Sequence, residues 1–346
     1  MHANTDGKSK MAQNPPTSPN LTCKVRLLLS ILTIVIDATR RSNGTVNRRL
    51  ISLFDFKASH SNKSNDPVKT SDVMVDPSRN LWFRLYFPTT TDVAATKLPL
   101  VIYFHGGGFV FFSANSQPYN DLCKRLATEL PAVVTSVNYR HAPEHRYPSQ
   151  YEDGFDVLKF IDTTRIEGLD LNKVDITRCF LAGDSAGGNL AHHVAIKASN
   201  HEFCQMRVMG LIAIQPFFGG KERTESETRL SKKGLAITLE QTDWYWKAFL
   251  PEGSDRDHAV ANVFGPESRC VLGVKFPATI VFVGGFDPLK DWQKIYYQGL
   301  MKNRIQAYLI EYPNSFHGFY TFPELKESSF FIKEVKDFID KQSTCQ

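Results

Sequence analysis

Ser185 stands between two glycines in Gly183-Asp184-Ser185-Ala186-Gly187, and a second glycine run, His105-Gly106-Gly107-Gly108-Phe109, precedes it in the chain. A serine flanked by small residues at a sharp strand-to-helix turn presents its hydroxyl at the positive end of the following helix. That placement suits attack on a carbonyl carbon. Acyl transfer builds negative charge on the carbonyl oxygen, and backbone N–H groups are its usual donors. The expected oxyanion hole is Gly106, Gly107 and Gly108, whose backbone approaches closely, together with Ala186; Gly107 and Gly108 are the preferred donors and the Ala186 N–H a third. Losing one such donor costs about 3 kcal/mol of transition-state stabilisation. His105 reads as a residue that orients this loop.

A serine hydroxyl needs a base near neutral pH. Of the ten histidines, His2 and His60 fall in polar segments and His192 and His193 on the helix after Ser185. His317, in Asn314-Ser315-Phe316-His317-Gly318-Phe319, follows an apolar run that reads as the last strand. The end of a strand is where an α/β sheet places its working groups. The acid that orients such a base should lie between serine and histidine. Asp287, in Gly284-Gly285-Phe286-Asp287-Pro288-Leu289, is preferred. Its competitor Asp291 reads as the N-cap of the next helix.

The elements that must hold these groups follow from hydrophobic runs. Asp72 to Val75 and Leu81 to Phe87 flank a turn at Asp76-Pro77-Ser78-Arg79-Asn80 and predict a hairpin. Leu98–Phe104, Ala132–Val137, Cys179–Ala182, Met209–Gln215, Ala278–Val283 and Ala307–Glu311 are apolar without clean alternation, as strands buried on both faces should be. Helical stretches lie between them: Tyr119–Glu129, Gly154–Thr163, Gly188–Ala198, Asp291–Lys302 and Phe330–Lys341. Strand–helix alternation predicts a mostly parallel sheet covered on both sides. Lys221 to Phe264 interrupts it as an insertion. There Trp244-Tyr245-Trp246 and Phe249 either line a pocket or anchor helices to the core.

Residues 1–20 are rich in Asn, Ser, Pro and Lys and read as disordered. Residues 21–40 read as an apolar helix ended by the Asn43-Gly44 turn, Val46 to Phe56 as a short helical or irregular stretch, and His60 to Val68 as a polar linker. Leu27 to Ile36 is about half a membrane span. No small-residue cleavage site follows it, which argues against a signal peptide and for an amphipathic or buried helix.

The chain has 346 residues, 42% hydrophobic and 22% charged, with a formal net charge of +5. These values describe a globular chain with a sizeable core. The basic residues are scattered apart from Arg40-Arg41 and Arg48-Arg49, which read as a solvated face; nucleic acid is not an expected partner. Six cysteines form no Cys-x-x-Cys pair, which excludes zinc and redox motifs of that kind. Free thiols and a cytoplasmic setting are the expectation. No metal and no cofactor is expected.

The runs quoted above, with Asn138-Tyr139-Arg140-His141-Ala142-Pro143-Glu144, resemble the hormone-sensitive-lipase branch of the α/β-hydrolases, and more closely the plant carboxylesterases. The resemblance covers nearly everything from residue 21 onward. It implies an α/β-hydrolase fold with a mostly parallel eight-stranded central sheet, helices on both faces and an N-terminal helical lid. The expected domains are a lid at 21–65 and a hydrolase domain at 66–346 with a cap-like insertion at 221–264. The implied activity is a serine carboxylesterase on small or medium esters, with Ser185, His317 and Asp287 as triad.

Gly44-Thr45-Val46-Asn47-Arg48, Phe218 to Glu227 and Asp243 to Pro251 carry a further resemblance, to the gibberellin receptors. Those receptors resemble esterases that have an aliphatic residue in place of the histidine and a serine at the end of the His-Gly-Gly-x run. This chain has His317 and Gly108 there. The receptor resemblance implies an alternative, small-molecule binding with vestigial catalysis. It also implies a lid whose outer face recruits a protein partner. The expected compartment is the cytoplasm, with the nucleus as a second.

Overall fold

The computed structural model describes residues 18–61, 66–89, 97–166, 169–230, 236–268 and 275–344. The expected disordered segment, up to residue 17, therefore lies outside the described residues, as do Cys270, Cys345 and parts of the expected linker and insertion. Cys23, Cys123, Cys179 and Cys204 are free thiols.

The chain opens with α1 (Cys23–Thr39), whose N-cap Thr22 accepts a hydrogen bond from the Val25 N–H. Gly44, at φ +82°, makes the turn predicted to end this region. Next comes α2 (Arg48–Ser52), capped by the Asn47 side chain. The hairpin follows as β1 (Val68–Asp76) and β2 (Leu81–Pro88). The remaining elements alternate: β3 (Leu98–Phe104), α3 (Gln117–Glu129), β4 (Val133–Asn138), α4 (Ser149–Thr163), β5 (Val174–Asp184), α5 (Ala186–Ser199) and β6 (Val208–Ile214). After α6 (Glu225–Leu230) and α7 (Leu239–Phe249) come β7 (Ala278–Gly284), α8 (Lys290–Lys302), β8 (Ala307–Tyr312) and α9 (Lys326–Thr344).

The eight strands form one sheet in the order β1-β2-β4-β3-β5-β6-β7-β8. β2 pairs antiparallel with both neighbours, and every other pair is parallel. All seven residues of β3 are buried, because both its faces are covered. Leu100, Ile102 and Phe104 pack with α4 and α5, while Val101 and Tyr103 pack with α3 and α9. Period-two geometry thus divides one apolar run between two cores. The loops after β3, β5, β7 and β8 all leave at the carboxyl edge of the parallel strands, and these loops carry the candidate residues.

Several boundaries differ from expectation, β5 and α4 for identifiable reasons. β5 begins at Val174 because Asp175, Thr177 and Arg178 extend the strand through polar residues; Asp175 accepts hydrogen bonds from the Thr177 N–H and hydroxyl. α4 begins at Ser149, and Gly154, expected at its start, lies inside it. A Cβ at Gly154 would lie 2.8 Å from Val194 Cγ2 and 3.0 Å from Leu190 Cδ2, so the glycine lets α4 and α5 approach.

The basic pairs near α1 and α2 are not simply a solvated face. The Arg40 side chain is only 7% exposed and pairs with Asp37 at 2.5 Å. Arg48 donates to the carbonyls of Val110 (2.5 Å) and Ala142 (2.7 Å) and pairs with Glu144 at 2.6 Å. α1 turns Val25, Leu29, Val35 and Ile36 inward, while Leu27, Leu28, Ile31 and Ile34 are exposed. No helix of the described residues is long and apolar enough to cross a membrane.

Candidate active site

β5 ends at Asp184 and α5 starts at Ala186, so Ser185 is the whole turn. Its φ of +50° and ψ of −119° are strained for a non-glycine residue. The serine is held there by its own backbone: its N–H donates to Ile214 O at 2.9 Å, and its carbonyl accepts from Phe217 N–H at 2.8 Å. Gly187 has to be glycine, because a Cβ there would overlap the Phe104 carbonyl at the end of β3. The elbow and the glycine loop are therefore in backbone contact.

In that loop Gly107 and Gly108 have φ of +104° and +64°. Their N–H groups donate to no protein acceptor among the described residues. The Ala186 N–H, at the first position of α5, has no partner within its helix. Gly106 differs. Its N–H donates to Asp184 Oδ1 at 2.9 Å, so the expectation that it is an oxyanion donor is corrected: it anchors the loop. His105 is fully buried, stacks on Tyr139 with ring centroids 4.4 Å apart, and meets the Gly106 carbonyl through Nδ1 at 2.8 Å. Burial pushes its pKa down to about 3, so it is neutral and structural.

His317 follows β8 and Asp287 follows β7. His317 Nδ1 lies 2.7 Å from Asp287 Oδ2. A carboxylate can only accept, so Nδ1 carries the proton and Nε2 is left as a base. Burial disfavours the imidazolium, but the charge and hydrogen bond of Asp287, aided by the charge of Asp184, outweigh it and raise the His317 pKa above its usual value. Asp287 Oδ1 accepts the Leu289 N–H at 2.9 Å. Asp291 is not the N-cap expected of it. Leu289 holds that position, and Asp291 Oδ2 accepts the Ser226 N–H at 2.8 Å, tying α6 to the start of α8.

The aromatic residues of α7 pack rather than stand free. Phe249 stacks on Phe109 at 3.8 Å, Trp246 on Phe217 at 4.1 Å, and Tyr245 lies against Gly108. Trp244 Nε1 donates to the Arg41 carbonyl at 3.0 Å, which joins α7 to the segment after α1.

Sequence reasoning missed two polar residues. Asp184 is fully buried; it accepts Tyr103 OH (2.7 Å) and Gly106 N–H on Oδ1, and Tyr320 OH (2.7 Å) and Tyr119 OH (3.0 Å) on Oδ2. Burial raises its pKa, although the tyrosine hydroxyls act in the opposite direction. Gln215, just beyond β6, is also fully buried. The available signal in each case was a polar residue closing an apolar strand.

These features define a class: a doubly covered, mostly parallel sheet with a serine elbow, a glycine loop and an Asp–His pair at its carboxyl edge. A family model described as the alpha/beta hydrolase fold matches residues 101–321. The chain belongs to the α/β-hydrolase family, as a carboxylesterase-type member closely similar to the gibberellin receptors. It is 40% identical to a gibberellin receptor of Arabidopsis thaliana over 92% of this chain and 94% of that one. It is 33% identical to carboxylesterase 20 of the same plant, over 88% of this chain and 95% of that one. Among solved structures, it matches a hyperthermophilic esterase from Pyrobaculum calidifontis at 26% identity and a TM-score of 0.71, covering 93% of this chain and 99% of that one.

Proposed function

We propose that the chain is a serine carboxylesterase acting on small or medium carboxylic esters. The observation that carries this reading is the His317–Asp287 pair at 2.7 Å, which leaves Nε2 as a base at the sheet edge that also bears Ser185. Ser185 Oγ attacks the ester carbonyl carbon and His317 Nε2 takes its proton. Gly107, Gly108 and Ala186 donate to the oxyanion. His317 returns the proton to the departing alcohol oxygen. Water then attacks the acyl-enzyme by the same route in reverse and releases the acid. Asp287 orients and stabilises the imidazolium without taking the proton.

Residues 21–65 act as a lid over the substrate and residues 221–264 as a cap. The working compartment is the cytoplasm. The test is turnover of p-nitrophenyl acetate and longer acyl esters. Wild type is expected to turn over, Ser185→Ala to lose about six orders of magnitude, and an organophosphate to leave a covalent adduct on Ser185. Equal rates for wild type and Ser185→Ala would sink the reading.

The 40% identity to a gibberellin receptor favours a second reading, gibberellin binding with vestigial catalysis. On that reading the exposed outer face of α1, with Leu27, Leu28, Ile31 and Ile34, takes a protein partner. Calorimetry with gibberellins decides it: saturable heat supports the reading, and its absence ends it.

A further inference from the structure

We infer that Gln215 is the positioning residue that sets the acid loop and the base loop of this site at a fixed spacing, an inference that rests on the esterase reading. Its side-chain amide has three partners, and they belong to both loops. Nε2 donates to Asp287 Oδ2 at 3.0 Å and to the Phe316 carbonyl at 3.2 Å. Oε1 accepts the Gly318 N–H at 2.8 Å. Phe316 and Gly318 are the residues on either side of His317, so one rigid amide plane spans the acid and both neighbours of the base.

The orientation of this amide is unambiguous. Two partners can only accept and the third can only donate, so a flipped amide would lose all three bonds. The backbone is shaped to deliver it. Gln215 has φ +43°, in the left-handed region, and its own N–H is tied to the Phe282 carbonyl at 3.0 Å. Strain of this kind persists where the surroundings impose it, and it clusters at functional sites. The neighbouring strand also makes room: a Cβ at Gly284 would come 2.5 Å from Gln215 Nε2.

Gln293 supplies a contrast. Its Nε2 also donates to Asp287 Oδ2, at 2.8 Å, but among the described residues it makes no hydrogen bond to the loop carrying His317. Gln293 holds the acid alone, whereas Gln215 holds acid and base relative to each other. Misplacing reacting groups by about 1 Å costs on the order of a hundredfold in rate. The linkage should therefore act on turnover more than on substrate binding.

The test uses the full chain with Gln215→Met, which keeps the length and removes the bonds, and Gln215→Glu, which keeps the shape but sets a second carboxyl beside Asp287. Thermal unfolding checks that each variant folds. With p-nitrophenyl acetate, Gln215→Met should lower kcat by about tenfold or more and leave KM within about twofold. The titratable groups facing His317 are Asp287 and Asp184. At Gln215→Glu the oxygen in place of Nε2 faces two acceptors, so it replaces the donor only while its carboxyl is protonated, and kcat should fall as pH rises and that carboxyl ionises.

A kcat for Gln215→Met within about twofold of wild type, or a pH profile of Gln215→Glu that matches wild type, would overturn the inference. NMR of the His317 Nδ1 proton reads the same geometry without turnover. The signal should be sharp in wild type and in Ser185→Ala, and broadened in Gln215→Met. If no ester is hydrolysed, the esterase reading fails while the NMR comparison still decides the positioning role.

Discussion

His317 Nδ1 meets Asp287 Oδ2 at 2.7 Å with both side chains buried, and that contact outweighs the burial that would otherwise keep the imidazole uncharged. The His317 pKa is therefore raised, and the base must be neutral to accept the serine proton. The acid limb of kcat/KM should have its midpoint above about 6.5, the ordinary histidine value. In Asp287→Asn the larger cause of the rise is gone while burial and the charge of Asp184 remain, so the limb should move to lower pH and kcat fall by about 10⁴. Stability carries the same sign. The contribution of the protonated pair is full below the unfolded-state value and is lost as pH rises through the raised folded-state value. Denaturant unfolding at a series of pH values checks this, and a limb at or below 6.5 in wild type would contradict it.

Asp184→Asn tests the anchor of the glycine loop. The carboxylate accepts four donors, Tyr103, Tyr119, Tyr320 and Gly106, and an amide cannot accept on both of its ends. At least one buried donor then loses its partner, at about 1–3 kcal/mol. The expected outcome is a lower midpoint of urea unfolding together with a kcat loss of about tenfold or more, since the loop carrying Gly107 and Gly108 is no longer fixed at its base. Full activity in a destabilised variant would separate the anchor from the chemistry.

Gly108→Ser introduces the residue that the resemblance assigns to the receptors. A Cβ at Gly108 would lie 2.6 Å from the Tyr245 ring, and the backbone there has φ +64°. A left-handed non-glycine residue costs about 1–2 kcal/mol, and Tyr245 must shift as well. The variant should lose about tenfold or more in kcat/KM through the displaced Gly108 N–H. Steady-state kinetics with p-nitrophenyl acetate measures it; an unchanged kcat/KM would remove Gly108 from the set of oxyanion donors.

Arg48→Met tests the join between the N-terminal helices and the glycine loop. The methionine keeps an apolar stem but loses the bonds to the Val110 and Ala142 carbonyls and to Glu144. Hydrogen exchange at the amides of α2 should quicken by about tenfold, the equivalent of one charge-assisted hydrogen bond. Unchanged exchange would show that Ile51 and Val46, both buried, hold this segment by packing alone.

Much of the site was legible because its signals are local. A serine between glycines before an apolar helix, and a histidine after the last apolar run, each encode a backbone turn within a few residues. Asp184 and Gln215 were not legible in the same way. Each appears in the sequence as a polar residue closing a strand, and its meaning comes from donors supplied by distant segments. Gly154 was read as a boundary because a glycine inside a helix makes sense only once α5 is seen against it. Arg48 was read as solvated because its acceptors, the carbonyls of Val110 and Ala142, lie far along the chain.

The Asp184 carboxylate also bears on how the chain comes together. Its donors arrive from β3, from the glycine loop, from α3 and from the turn before α9. With three of these segments docked, a buried carboxylate beside Ser185 still lacks a donor. That shortfall penalises every half-assembled state and disappears only when the last segment closes. Assembly of the catalytic edge and closure of the sheet face under α3 and α9 are thereby made one cooperative event, with few species that hold a partly formed site.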